Sequence, residues 1–238
     1  LWLATANGLS RFSGSIFKNY SRNDGLPSKL VTSVHVDKND DSKIWTGSDG
    51  SGLTRFDEKG FFTFAMQDGL PSNSIPDITQ LDDGTLVIAC YGAGLAKFDG
   101  KTFKLFKEGL DDNRVRKLAV GIDGQIWAGT ESAGIGVLKG DDFEMLRDSD
   151  GLAHNEILSL FYDGKRMWAG TFGGGVSCFF DGTWFTMRES DGLNSNTIGS
   201  IVNIDDNELV LGGNNGISIL SLVDETFKLS IDNILTPN

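Results

Sequence analysis

Residues 150–187, DGLAHNEILSLFYDGKRMWAGTFGGGVSCFFDGTWFTM, read as four short strands joined by tight turns. After the Asp150-Gly151-Leu152 loop, Ile157 to Leu160 form strand A. Asp163-Gly164 turns the chain into strand B, Met167 to Thr171, and glycines 173–175 turn it into strand C, Val176 to Phe179. Asp181-Gly182 leads into strand D, Trp184 to Met187. Asp-Gly is a favoured hairpin turn because glycine takes positive φ without a steric penalty.

The same unit recurs along the chain. Asp150-Gly151-Leu152 is echoed by Asp24-Gly25-Leu26, Asp68-Gly69-Leu70, Glu108-Gly109-Leu110 and Asp191-Gly192-Leu193, with glycines 44, 40, 42 and 41 residues apart. A second anchor, Trp2, Trp45, Val87, Trp127, Trp168 and Val210, keeps the same beat in strand B. Two anchors in register over the whole length define a repeat protein. Strand A carries aliphatic residues in its first and fourth places (Val31 and Val34, Ile75 and Ile78, Val115 and Leu118, Ile157 and Leu160, Ile198 and Ile201). A strand with one wet face alternates with period 2, so this spacing predicts sheets covered on both faces, as when blades pack around an axis.

The expected fold is therefore all-β: a β-propeller of four-stranded antiparallel blades, one domain over residues 1–238, with about six repeats of 40–44 residues. The first unit begins at strand B. The tail Ser230 to Asn238, with Ile231, Ile234 and Leu235, is expected to supply its missing strand, and the alternative is a piece of a larger ring.

Composition bounds the function. Thirty-one glycines against four prolines, with 39% hydrophobic residues, suit a β-rich folded domain. A net charge of −12 argues against nucleic acid and against contact with an anionic membrane. No apolar run approaches the roughly 20 residues of a membrane span. The chain opens on Leu1 with Trp2 already in an apolar run, which suggests a mature or excised segment. Cys90 and Cys178 fall at different phases of the repeat, so no disulfide is expected between them. No zinc spacing, Ser-His-Asp order or phosphate loop is visible, and no cofactor or metal is expected.

The segments DGLPSNSIPDITQLDDGTLVIACYGAGLAKFD and EGLDDNRVRKLAVGIDGQIWAGTESAGIGVL resemble the two-component regulator propeller repeat. That repeat runs Gly-Leu, a small polar stretch, Asn, a β-run, Asp-Gly and Ile-Trp-Ile-Gly-Thr. The resemblance covers essentially the whole chain. It implies the extracytoplasmic, periplasmic sensor part of a bacterial membrane-bound histidine kinase, hybrid two-component sensor or diguanylate cyclase, some members of which sense oligosaccharides. This chain departs from the pattern at Val87 and Val210 for Trp, Cys90 and Gly213 for Thr, and Lys29 for Asn.

In a propeller the D-to-A loops and B-to-C turns emerge at one end of the blades. Residues repeated there hold the fold, and residues that vary are free to meet a ligand. Asn73, Asn113, Asn155 and Asn196 recur before strand A and read as turn-stabilising. Lys29 breaks that column and, as a cation on an acidic chain, is a candidate contact for a carboxylate or phosphate of a ligand. The place after strand B varies most, and Asp49, Tyr91, Glu131, Phe172 and Asn214 are its candidates for ligand contact. Arg114, His154 and Glu156 join them from the loops, and an Asp77–Lys117 ion pair is expected between inner strands. Aromatics beside acids and amides suit a polar small molecule or oligosaccharide, with Tyr91, Glu131 and Phe172 as the expected centre. A protein partner or homodimer is the alternative, favoured by Trp184, Phe185, Phe61, Phe62 and Phe227 on outer strands. A lyase like the streptogramin lyases, built on Glu131, His154 and Glu156, is the third reading. His35 reads as a packed histidine, and no catalytic residue is assigned.

Overall fold

The structure is a computed structural model that describes the backbone of residues 1–205, 208–223 and 228–234, and side chains as far as residue 222. All of its regular structure is antiparallel sheet and single 3-10 turns. The first sheet has three strands, β1 (Trp2–Thr5), β2 (Gly8–Phe12) and β3 (Phe17–Tyr20). The second contains β4 (Val31–Val36), β5 (Ile44–Ser48), β6 (Leu53–Asp57) and β7 (Gly60–Phe64), and the third β8 (Ile78–Gln80), β9 (Leu86–Cys90), β10 (Gly94–Phe98) and β11 (Phe103–Phe106). The fourth is β12 (Val115–Val120), β13 (Ile126–Thr130), β14 (Ile135–Lys139) and β15 (Asp142–Leu146). The fifth is β16 (Ile157–Tyr162), β17 (Met167–Thr171), β18 (Val176–Phe180) and β19 (Thr183–Met187). The sixth is β20 (Ile198–Asp205), β21 (Glu208–Gly213), β22 (Gly216–Val223) and β23 (Lys228–Ile234). This is the expected six-bladed propeller class, with strands in each blade paired in sequence order. The chain forms two compact units, residues 1–118 and 119–238, whose boundary falls within β12.

The Asp-Gly-Leu anchor is one 3-10 turn closed by its own side chain. Asp24, Asp68, Asp150 and Asp191 each accept the backbone N–H three residues earlier, at 2.8–2.9 Å. The glycine that follows sits at φ 92–107°, the left-handed region that Cβ disfavours. Leu26, Leu70, Leu152 and Leu193 then point into the core, each buried. The third loop, Lys107 to Leu110, is shorter and lacks the 3-10 turn.

Strand B is buried at every position in β5, β9, β13 and β17, so both faces of these sheets are covered. Its tryptophans reach strand C of the next blade. Trp2 meets Phe56 at 5.9 Å, Trp45 meets Phe98 at 6.0 Å and Trp127 meets Phe179 at 5.4 Å between ring centroids. Filling such a gap with one large side chain contributes about 1.5–3 kcal/mol.

Three of the aliphatic pairs of strand A do not show two covered faces, as their spacing suggested. Ile157 pairs with Thr171, Ser159 with Gly170 and Leu160 with Ala169, so Leu158 is an extra residue in a β-bulge. The same shift separates Val31 from Ser33 and Ile198 from Ser200. One inserted residue turns a spacing of three into two pairing steps, which places the first and fourth residues on the same face.

The expected closing tail is described as far as Ile234, and to that point it belongs to the sixth sheet. Ile231 pairs with Leu220 and Ile234 with Ile217, so β23 is that sheet's fourth strand. The physical reason is local: β22 offers an open edge to the segment that follows it directly, and an antiparallel neighbour satisfies that edge at once. Leu235 and the rest of the tail, like Phe227, lie outside the described residues. Cys90 and Cys178 are buried free thiols, each pushed up to about 12 by desolvation.

Candidate functional site

The D-to-A loops are tied to the B-to-C turns by the asparagine column. The backbone carbonyls of Asn73, Asn113, Asn155 and Asn196 accept from Gly52, Gly94, Gly134 and Gly175 at 2.7–3.0 Å. The side-chain oxygens of Asn73, Asn155 and Asn196 accept the first N–H of the neighbouring 3-10 turn, from Met66, Asp148 and Glu189 at 2.8–2.9 Å. Asn113 follows the loop without a 3-10 turn, and its buried Oδ1 has no partner. These asparagines fasten one blade to the next, as their recurrence suggested.

In the first unit this scaffold brings Asp49 and Tyr91 to opposite sides of Ser74. The Ser74 hydroxyl donates to Asp49 at 2.8 Å, and its carbonyl accepts from the Tyr91 amide at 3.0 Å. Tyr91 is half-buried, with the Arg116 guanidinium 5.9 Å from its ring centroid. Arg114 is clamped onto buried Asp112 by two bonds of 2.9 and 3.1 Å, so its charge is already paired. Lys29 is exposed in its loop. Asp77 accepts the amides of Ile78 and Leu118 at 3.0 and 2.9 Å. Burial pushes its carboxyl above the usual carboxylate range, while Lys117 and the two amides pull the other way. His35 is half-buried, with Nε2 3.2 Å from the Gln80 side-chain oxygen, and desolvation holds its pKa below the usual imidazole value.

In the second unit Glu156 links two other candidates. Its amide donates to Nδ1 of exposed His154 at 3.0 Å, and its carbonyl accepts from the Phe172 amide at 3.1 Å. Phe172 is 52% exposed, its ring displayed by a turn in which the amides of Phe172, Gly173 and Gly175 are bonded. Glu131 is half-buried and Asn214 is exposed. Among the described residues no three His, Cys, Asp or Glu side chains converge as metal ligands would.

Ser74, which joins Asp49 to Tyr91, was missed by the sequence reading. Serines in a polar loop carry no distinguishing pattern. None of the nine candidate residues lines any of four cavities that the described residues form. Those cavities open at the other end of the sheets, among A-to-B and C-to-D turns. One of about 460 Å³ lies between the second and third sheets, where Asp37, Arg55 and Asp83 face it, and another of about 450 Å³ lies between the first and second.

The fold is that of a β-propeller, and solved propeller structures are similar to it. The extracellular domain of BT3049 from B. thetaiotaomicron, assigned to a hybrid two-component system, matches with a TM-score of 0.72 and 26% identity, over 87% of this chain and 28% of its own. The extracellular domain of BT4673 from the same organism matches with a TM-score of 0.71 and 13% identity, over 99% of this chain and 42% of its own. The chain thus spans less than half the length of either domain. Virginiamycin B lyase from Staphylococcus aureus, in a catalytically inactive form with quinupristin, matches with a TM-score of 0.71 and 15% identity, over 96% of this chain and 78% of its own. At that identity the likeness is one of fold. No family model matches the chain, and no curated protein does.

Proposed function

We propose that this chain is the ligand-binding propeller of an extracytoplasmic bacterial sensor. The observation that carries the reading is its similarity to the BT3049 extracellular domain at 26% identity over 87% of the chain. The ligand is a polar small molecule or oligosaccharide, met by the loop and turn residues of the D-to-A end. Phe172 offers a stacking face with His154 and Glu156 beside it, and Tyr91 offers a second with Asp49 and Arg116 nearby. A flat aromatic face next to hydrogen-bonding groups suits a hydroxyl-rich ring. Lys29 and Arg114 in the first unit, and Glu131 and Asn214 in the second, are further proposed contacts within their own units.

A thermal-shift screen of soluble oligosaccharides and polar metabolites tests this. A hit whose affinity falls in Phe172→Ala or Tyr91→Ala, each assayed alone, supports the reading. A hit indifferent to both substitutions excludes the proposed residues. A protein-binding role is the second reading, favoured by Phe62 and Phe185, which lie exposed on the outer strands β7 and β19. Light scattering of the wild type, of Phe62→Ser and of Phe185→Ser, each alone, reports on self-association through either strand.

A further inference from the structure

Two cavities of the second unit adjoin one another at the turn end of the fourth and fifth sheets. The larger has a volume of about 260 Å³, the smaller about 140 Å³, and both are lined by Gln125, Trp127 and Phe179. The larger also takes in Tyr162, Met167 and Phe180, so aromatic and thioether surface dominates its walls. Trp127 and Phe179 are tilted at 58° to each other, which leaves their faces converging rather than stacked. The Tyr162 hydroxyl donates to the Gly164 carbonyl at 2.9 Å, which holds that ring in place, and the Lys165 ammonium lies 5.2 Å from the Phe180 ring centroid. Ile122, 66% exposed, forms an apolar lip.

Volume and chemistry restrict what such a cleft accepts. An apolar cavity of about 150 Å³ is known to hold benzene, so the larger cavity here has room for two fused rings. Its walls favour a planar apolar body by aromatic contact. Its few polar side chains include two that accept hydrogen bonds, the Asp181 carboxylate and the Gln125 amide oxygen. The Lys165 ammonium and the Asp181 carboxylate both line the cleft, so its local charge is balanced and suits a neutral body.

We propose that this cleft binds a neutral bicyclic aromatic molecule bearing one hydrogen-bond donor, of the indole or naphthol class. The site is separate from the loop-end residues assigned to the polar ligand, and it stands or falls independently of them.

The chain has four methionines, Met66, Met145, Met167 and Met187, and of these only Met167 lines the larger cleft. Protein labelled with ¹³C at the methionine methyls is titrated with 2-naphthol and, separately, with 2-naphthoate. A saturable ring-current shift of the Met167 methyl, with the other three unmoved, is the expected result. Phe180→Ala should weaken 2-naphthol binding about fivefold to tenfold. Asp181→Asn, which keeps a residue that tolerates the left-handed turn at φ 49°, should narrow the preference for naphthol over naphthoate. A Met167 methyl that does not move, or four methyls that move together without saturation, overturns the site. An unchanged naphthol preference in Asp181→Asn overturns the assignment of Asp181 as acceptor.

Discussion

The indole N–H of Trp168 donates to Oδ2 of Asp163 at 2.9 Å, so the acid of the A-to-B turn is bonded to the tryptophan of strand B. Asp163 also accepts the amides of Lys165 and Arg166 at 2.8 and 2.6 Å and pairs with the Arg166 guanidinium at 3.2 Å. Trp45 and Asp37 make the equivalent bond at 3.0 Å in the second blade.

Asp163→Ala should destabilise the protein by about 3 kcal/mol, because it strips the Trp168 indole, the Arg166 guanidinium and two amides of one shared acceptor. Trp168→Phe keeps most of the apolar volume and should cost less. Urea unfolding of the two variants, followed by far-UV circular dichroism, checks the order. Equal losses would mean that packing, not the carboxylate, dominates this turn.

Gly175 and Gly173 are neighbours in one turn, and both have positive φ, at 92° and 78°. A Cβ on Gly175 would run into the Met187 carbonyl oxygen, whereas a Cβ on Gly173 meets nothing within 4 Å. Gly173→Ala should therefore cost only about 1–2 kcal/mol of backbone strain, and Gly175→Ala considerably more, since the paired strands β18 and β19 must part. Melting temperatures of the two variants separate strain from collision.

The asparagine column offers an internal comparison. Asn73→Ala, Asn155→Ala and Asn196→Ala each remove a side-chain bond to a 3-10 turn and should cost about 1 kcal/mol. Asn113→Ala removes an oxygen that has no partner and should be close to neutral. Chemical unfolding of the four variants tests whether the fourth stands apart.

His35 couples stability to pH. Desolvation lowers its folded pKa below the unfolded value near 6.5, so the unfolded chain binds this proton more readily. Its contribution is fully present above pH 6.5 and is lost as pH falls through the folded pKa. Unfolding free energies at pH 7.5 and 5.5 should show a steeper loss for wild type than for His35→Gln, whose amide can still donate to Gln80. Parallel slopes would remove His35 as the cause.

Much of this architecture was legible because repeats and turns are local. Met167 to Thr171 forms the strand read for it, and Asp181-Gly182 makes a hairpin turn with both residues at positive φ. The strand A pairs misled because a bulge leaves no mark in composition: Ile157 and Leu160 share a face only because Leu158 is skipped in the pairing. The column of Asp49, Tyr91 and Phe172 was found by its variability, yet variability did not distinguish Phe172, displayed to solvent, from Tyr91, half-buried against Arg116. That difference depends on which loop each ring meets.

The amino-acid sequence by itself indicated about six repeats, and the strand order and turns of the second to fifth sheets. Those features arise from neighbours in the chain: the φ of glycine, the reach of an aspartate to an amide three residues back, the period of the apolar positions. Tertiary structure alone decided that the closing tail, as far as Ile234, pairs with β22, that Arg114 is spent on Asp112, and where the cavities open. The cleft of Trp127 and Phe179 joins residues 52 positions apart, and its shape is set by how two blades pack against each other.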